Sequence, residues 1–182
     1  MWVRDWENAI ALYFKMPTYV SRQMKEGREW HQKWAEETRR TGRLPEVFGG
    51  RKLIKPQTEL KIEIPNLGKG YEWLQLVGVI DAIDDGVIYE YKTGVSESNS
   101  YVGSFQAGIY AILAASRGLE AKQCQIHHYN QYRNKSDMSI FWITPKMLAE
   151  TDNWIKTIAG EMFQYFKDND LWARFGGPSE KT

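Results

Sequence analysis

Apolar residues first recur along the chain at Trp2, Trp6, Ile10, Tyr13 and Phe14. Steps of four, four, three and one put them on one side of a helix over residues 2–15. Pro17 ends the pattern, because the residue before a proline is pushed out of the helical region. Thr18 can cap a second helix from about Tyr19 to Arg40. Met24, Trp30, Trp34 and Ala35 are its inward positions and Thr41-Gly42 its stop. Residues 44–56 contain Pro45, Gly49, Gly50 and Pro56 and read as a loop.

The period then changes from helical to alternating. Leu60, Ile62 and Ile64 are separated by Lys61 and Glu63, the signature of a half-buried strand. A turn at 65–70 leads to a second strand, Trp73 to Ile83. Asp84-Asp85-Gly86 is a tight turn into a third strand, Val87 to Tyr91. These three strands form an antiparallel meander. After a polar loop (93–100), Tyr101 to Arg117 is a helix with Phe105, Ile109, Ile112 and Leu113 as its stripe and Gly118 as its stop. Gln123–Tyr132 and Met138–Ile143 are two more strands joined by the polar hairpin 133–137. Pro145 opens the last helix, which runs to about Asp168. The Gly/Pro/Ser-rich tail from Phe175 is expected to fray. The order ααβββαββα predicts a mixed α/β fold with a mostly antiparallel five-stranded sheet flanked by helices.

With 182 residues the chain is expected to be a single domain over 1–182. Apolar residues make up 42% and charged residues 26%, the balance of a soluble globular protein. The single cysteine, Cys124, can form neither an internal disulfide nor a four-cysteine zinc or iron–sulfur site. A reduced, cytoplasmic setting is expected, with no signal pattern at the N-terminus and no stretch apolar enough to span a membrane. The net charge is only +1, but it is uneven. Residues 1–61 hold thirteen Lys/Arg and eight Asp/Glu; the rest hold eleven and fifteen. Two readings stay open: a solvated helix of mixed charge, or a basic N-terminal face for phosphate beside an acidic half. On the second, Arg22, Lys25, Arg28, Lys33, Arg51, Lys52 and Lys55 are the candidate DNA contacts.

The chemistry concentrates in the second and third strands. Asp81 lies near the end of one and Glu90 near the end of the next. Glu90 and Lys92 are two apart, so both leave the same face of their strand. Two carboxylates and an ammonium together are costly in a core and repel one another unless something compensates. A divalent cation does so, because carboxylate oxygens are the ligands magnesium and manganese prefer. A surface hairpin with a cross-strand salt bridge would use the same residue types.

Gly78-x-x-Asp81, a short turn and Glu90-Tyr91-Lys92-Thr93-Gly94 resemble the core of the PD-(D/E)-x-K nuclease superfamily. Within it they are similar to the RecB-like branch. Gln106-x-x-x-Tyr110 on the following helix and Gly27-x-x-x-His31 upstream resemble two further elements of that branch. The resemblance implies a restriction-endonuclease-like core to which the helical segment 1–43 contributes. It implies metal ligation by Asp81, Glu90, His31 and the backbone carbonyl of Tyr91. Lys92 would position a water, and Gln106 and Tyr110 would support Lys92 or contact DNA. Glu59 is a weaker candidate for orienting another group. The implied cofactor is Mg²⁺ or Mn²⁺, one ion or two, with no iron–sulfur cluster. The implied activity is exonuclease or endonuclease cleavage of DNA in processing, repair, recombination or defence, with a helicase or other DNA-processing protein as a conceivable partner. Two departures stand out: Ile80 replaces the proline before Asp81, and Glu90 replaces the branch's more usual aspartate. The alternatives are a catalytically weak DNA- or protein-binding module that keeps the fold, and a metalloenzyme acting on another substrate.

Overall fold

In a computed structural model of the chain, residues 22–65, 72, 75–94 and 105–168 are described. The elements are α1 (Arg22–Thr41), a 3-10 turn (Glu46–Phe48), β1 (Gln57–Ile64), β2 (Leu76–Asp84), β3 (Val87–Thr93), α2 (Gln106–Ser116), β4 (Gln123–Asn130), β5 (Lys135–Trp142) and α3 (Pro145–Asp168). From the second helix onward this is the predicted order. The helix expected over 2–15, the Thr18 cap, the turn residues 66–70, the start of a strand at Trp73, the loop residues 95–100 and the tail from Phe175 lie outside the described residues.

The strands form one mixed sheet in the order β1-β2-β3-β4-β5. Neighbours are antiparallel except β3 and β4, which run parallel because α2 carries the chain back before β4 begins. Both faces of β3 are covered. Ile88 joins Ile62, Ile80, Leu113 and Ile126 in a core on the α2 side. Tyr89 and Tyr91 join Trp34, Leu44, Phe48 and Leu53 in a second core under α1 and the following loop. A strand buried on both sides reads as a continuous apolar run, which is how Val87–Tyr91 reads apart from Glu90.

α2 buries a different stripe from the predicted one. Leu113 is inside as expected, but its companions are Ala107, Gly108, Ala111 and Ala114. Ile109 is only partly buried, and Phe105 stacks flat on Trp154 of α3, with ring centroids 4.8 Å apart. The small residues let α2 close on α3: a Cβ added at Gly108 would sit 2.0 Å from Thr151 Oγ1.

The meander is also less regular than predicted. β2 and β3 pair only at Ala82–Tyr89, Ile83–Ile88 and Asp84–Val87. Beyond Ala82, β2 stays with β1 as far as Leu76–Ile64. Beyond Tyr89, β3 stays with β4 as far as Thr93–Tyr129. The two central strands therefore part, and a fork opens between them at Asp81 and Glu90.

Candidate active site

A backbone N–H that loses its ladder partner needs another acceptor. At the fork, the Tyr91 N–H donates to Asp81 Oδ2 at 2.8 Å. The N–H and C=O of a strand residue point to the same side, so the Tyr91 carbonyl opens on the fork as well. The other carboxylate oxygen, Asp81 Oδ1, accepts from His31 Nδ1 at 2.8 Å, a contact fifty residues apart in sequence. Trp34, one turn along α1 from His31, is packed between Phe48, Tyr91 and Tyr129 and fixes the helix against the sheet.

Glu90 is held from the opposite side. Its Oε1 accepts from Lys92 Nζ, from Gln106 Nε2 at 2.8 Å and, more loosely, from Tyr110 OH at 3.4 Å. Gln106 Nε2 also reaches Tyr110 OH at 2.8 Å. Gln106 and Tyr110 thus meet the oxygen that Lys92 meets, bracing Glu90 as directly as Lys92. Gly78 makes room for this arrangement, because a Cβ there would lie 2.4 Å from Leu113 Cδ1 and 3.5 Å from Tyr110 Cε1. Among the described residues, Glu90 Oε2 is buried with no hydrogen-bond partner.

The electrostatics follow from this packing. Burial, reinforced by the charge of Asp81, pushes the Glu90 carboxyl up to about 7 against the opposing pull of Lys92. Burial works against protonation of His31, but the Asp81 hydrogen bond and the charges of Asp81 and Glu90 outweigh it, leaving its pKa above the ordinary histidine value.

His31, Asp81, Glu90, Lys92 and Tyr110 line one cavity of about 680 Å³. Gly27, Arg28 and Gln32 of α1, Glu59 of β1 and Val79 of β2 complete its walls. Val79 carries no mark of this role in the sequence, because an alternating strand gives no sign that one apolar residue faces a cleft. Glu59 lies between the Thr58–Ala82 and Leu60–Ile80 pairs of β1 and β2, has a left-handed backbone (φ 51°) and pairs with Arg39 at 2.7 Å. The basic candidates divide. Arg28 reaches the cavity and Lys25 is exposed on the same helix. Lys33 lies over the Trp30 ring, 4.8 Å from its centroid. Arg51 is exposed but engaged, bonding the Tyr89 hydroxyl and lying over its ring. Lys52 is exposed beside Arg43 in the loop. Lys55 lines a separate cavity of about 210 Å³ at the β2–β3 turn, where its N–H bonds Asp84. The side chain of Arg22 lies outside the described residues.

The donor set suits a hard divalent cation: two carboxylates, one imidazole and a strand carbonyl. The unpartnered Glu90 Oε2 fits the same reading, since a buried carboxylate oxygen without a partner is costly and a cation would satisfy it. The side chains are closed on one another, His31 on Asp81 and Lys92 on Glu90. Among the described residues no three His, Cys, Asp or Glu groups converge on a common point as they stand. A bound ion would have to exchange these internal contacts for ligation.

The family model of the PD-(D/E)XK nuclease superfamily matches residues 6–168. Among solved structures, the chain is similar to an alkaline exonuclease (LHK-Exo) from Laribacter hongkongensis, at 12% identity and TM-score 0.54, over 92% of this chain and 84% of that one. The complex of LHK-Exo with dAMP matches at 14% identity and TM-score 0.52, over 92% and 85%. SSO0001 matches at 16% identity and TM-score 0.50, over 80% of this chain and 61% of its own. The chain spans about half (54%) of a similar protein from Eubacterium rectale. No curated protein matches the sequence. At these identities the structural likenesses speak to the fold, a restriction-endonuclease-like core.

Proposed function

The chain belongs to the PD-(D/E)XK nuclease superfamily, and on that premise we propose that it is a Mg²⁺- or Mn²⁺-dependent DNA nuclease of RecB-like type. The observation that carries this reading is the fork: Asp81, Glu90 and Lys92 meet in one cavity where two strands part, and a buried Glu90 oxygen there lacks a partner. A bound divalent ion supplies positive charge to the scissile phosphate and acidifies a water. Asp81 and Glu90 are the carboxylates that would hold it, with His31 and the Tyr91 carbonyl as further ligands. The Lys92 ammonium, within reach of Glu90, is placed to orient a water and to offset charge that builds on the phosphate. Gln106 and Tyr110 keep Glu90 Oε1 engaged, so that Oε2 is the oxygen left for a ligand. Arg28, Lys25 and, in the loop, Lys52 are the cations still available to a DNA backbone, and DNA would cross the mouth between α1 and the fork. The alkaline exonuclease among the relatives of this fold makes free DNA ends the first substrate to try.

The test is cleavage of end-labelled single- and double-stranded DNA and of circular DNA in Mg²⁺, Mn²⁺ or EDTA. Metal-dependent cleavage that disappears in Lys92→Ala is expected. No cleavage of any substrate would refute the nuclease reading, and cleavage that survives Lys92→Ala would refute the role of Lys92. Scission of circles would identify an endonuclease.

A further inference from the structure

The two edges of the sheet are built differently. β1 carries Glu59, Lys61 and Glu63 along its length, with Lys61 and Glu63 paired at 2.6 Å and the backbone at Glu59 in the left-handed region. Charges and a departure from extended backbone are the usual guards against edge-to-edge pairing. β5 has neither over its last five residues. Met138, Ile140 and Trp142 are 47%, 46% and 67% exposed, and all three project on one side. That side is the one on which His127, Gln125 and Gln123 lie; the 3-10 turn of the 44–53 loop reaches β5, yet Met138, Ile140 and Trp142 stay exposed beside it.

The backbone groups coincide with the side chains. The Ile143 N–H bonds Lys122 O, towards β4. Alternation along the strand then turns Phe141, Ser139 and Asp137 towards β4 and leaves the N–H and C=O of Met138, Ile140 and Trp142 facing outward. Among the described residues no strand pairs with that edge.

We propose that a second copy of this chain pairs antiparallel with β5 about a two-fold axis at Ile140, joining the two sheets into one. The edge is complementary to itself in this register. Ile140 meets Ile140 of the other copy, and Met138 meets Trp142 in both directions, so one apolar stripe is shared. Three outward-facing residues on each strand give roughly six main-chain hydrogen bonds. Lys135 and Asp137 fall outside the paired segment, so no like charges oppose each other. A two-fold interface requires this self-complementarity, and an unrelated partner does not. The active-site strands of the two copies would lie about 24 Å apart within one rigid sheet, at five strand spacings. The inference does not depend on the nuclease reading.

Sedimentation velocity on the full chain across a hundredfold dilution series tests it. A concentration-dependent dimer is expected for the unaltered chain. Ile140→Lys places two ammonium groups face to face on the axis and should yield only monomer with an unchanged circular dichroism spectrum, since the position is exposed. Because Cys124 is buried, Ile140→Cys supplies the one reactive thiol among the described residues, and a short bismaleimide should join two chains through it. Monomer at every concentration, a dimer that survives Ile140→Lys, or binding of an extended peptide to β5 of a monomer would each overturn the proposal.

Discussion

The two sides of the fork hold their carboxylates in opposite ways. On the β2 side, Asp81 is saturated: one oxygen takes the Tyr91 N–H and the other takes His31. On the β3 side, Glu90 has three donors crowded around one oxygen and none at the other. Asp81 therefore does structural work, replacing the ladder bond that β2 and β3 give up. Glu90 keeps one buried oxygen bare at a cost, which a proton or a cation on that oxygen would relieve. The contrast predicts that the two residues contribute alike to activity and differently to stability.

The largest effects are on cleavage. Asp81→Ala and Glu90→Gln should each lower metal-dependent cleavage by on the order of 10³-fold or more, as loss of a group that stabilises the reacting phosphate generally does. Denaturant unfolding in EDTA should then separate them. Asp81→Ala leaves the Tyr91 N–H without its acceptor and should cost about 1–3 kcal/mol. Glu90→Gln removes a buried charge and should be neutral or stabilising. Equal destabilisation by both would erase the distinction between the two sides.

Next in size is pH. Glu90 is raised from 4.5 to about 7 in the folded protein, and His31 is raised above 6.5. Both groups bind protons more tightly folded than unfolded. Their contributions are fully present at low pH and disappear as pH rises through the folded values, so metal-free protein should lose stability between about pH 5 and pH 8. For Glu90 the loss is at most about 3 kcal/mol. Melting in EDTA at pH 5.5 and pH 8 measures it, and Glu90→Gln should flatten the slope. Mn²⁺ competes with those protons, so it should raise the melting temperature more at pH 8 than at pH 5.5. A melting temperature that climbs with pH in EDTA would contradict the reading of Glu90.

A smaller effect tests what supports the β3 side. Alanine is favoured over glycine within a helix by about 1 kcal/mol. At Gly108, however, a methyl group would collide with Thr151, and overpacking costs about 1–3 kcal/mol. Gly108→Ala should therefore destabilise by up to about 2 kcal/mol. Because it pushes α2 away from α3, it should also weaken cleavage through Gln106, whereas Ala115→Gly on the exposed face of the same helix should leave cleavage unchanged. Thermal melts and initial rates report the two responses.

Much of this was legible in the residues. The change of period at Leu60 marked the sheet, and α3 begins and ends where Pro145 and Asp168 suggested. Glu90 and Lys92 share a face because strands alternate. The fork was not legible, because local pattern records which residues can extend, not where two strands stop pairing. The inner stripe of α2 is hidden for a related reason: Ala107, Gly108 and Ala111 are inside because α3 lies close, a fact about α3. His31 could be linked to the site only by resemblance, since its partner lies fifty positions away. Nor could charge count separate Arg28, which borders the cavity, from Arg51, which is spent on Tyr89.

The smallest predicted effects resolve the β3 side itself. Gln106 donates to Glu90 Oε1 at 2.8 Å and to the Tyr110 hydroxyl at the same distance, whereas Tyr110 is 3.4 Å from the carboxylate. A contact of that length is a weak hydrogen bond. Burial, with the charge of Glu90 added, raises the Tyr110 hydroxyl well above the ordinary tyrosine value, so it stays protonated throughout the working range. Gln106→Ala should therefore slow cleavage by about tenfold, the equivalent of one ordinary hydrogen bond of about 1.4 kcal/mol, and should raise the Mn²⁺ concentration needed for half-activation. Tyr110→Phe keeps the ring, loses only the longer contact and should change the rate by no more than about threefold. If Tyr110→Phe proved the more damaging of the two, the hydroxyl would have to act on the substrate directly, and Glu90 would owe its orientation to Lys92 and Gln106 alone.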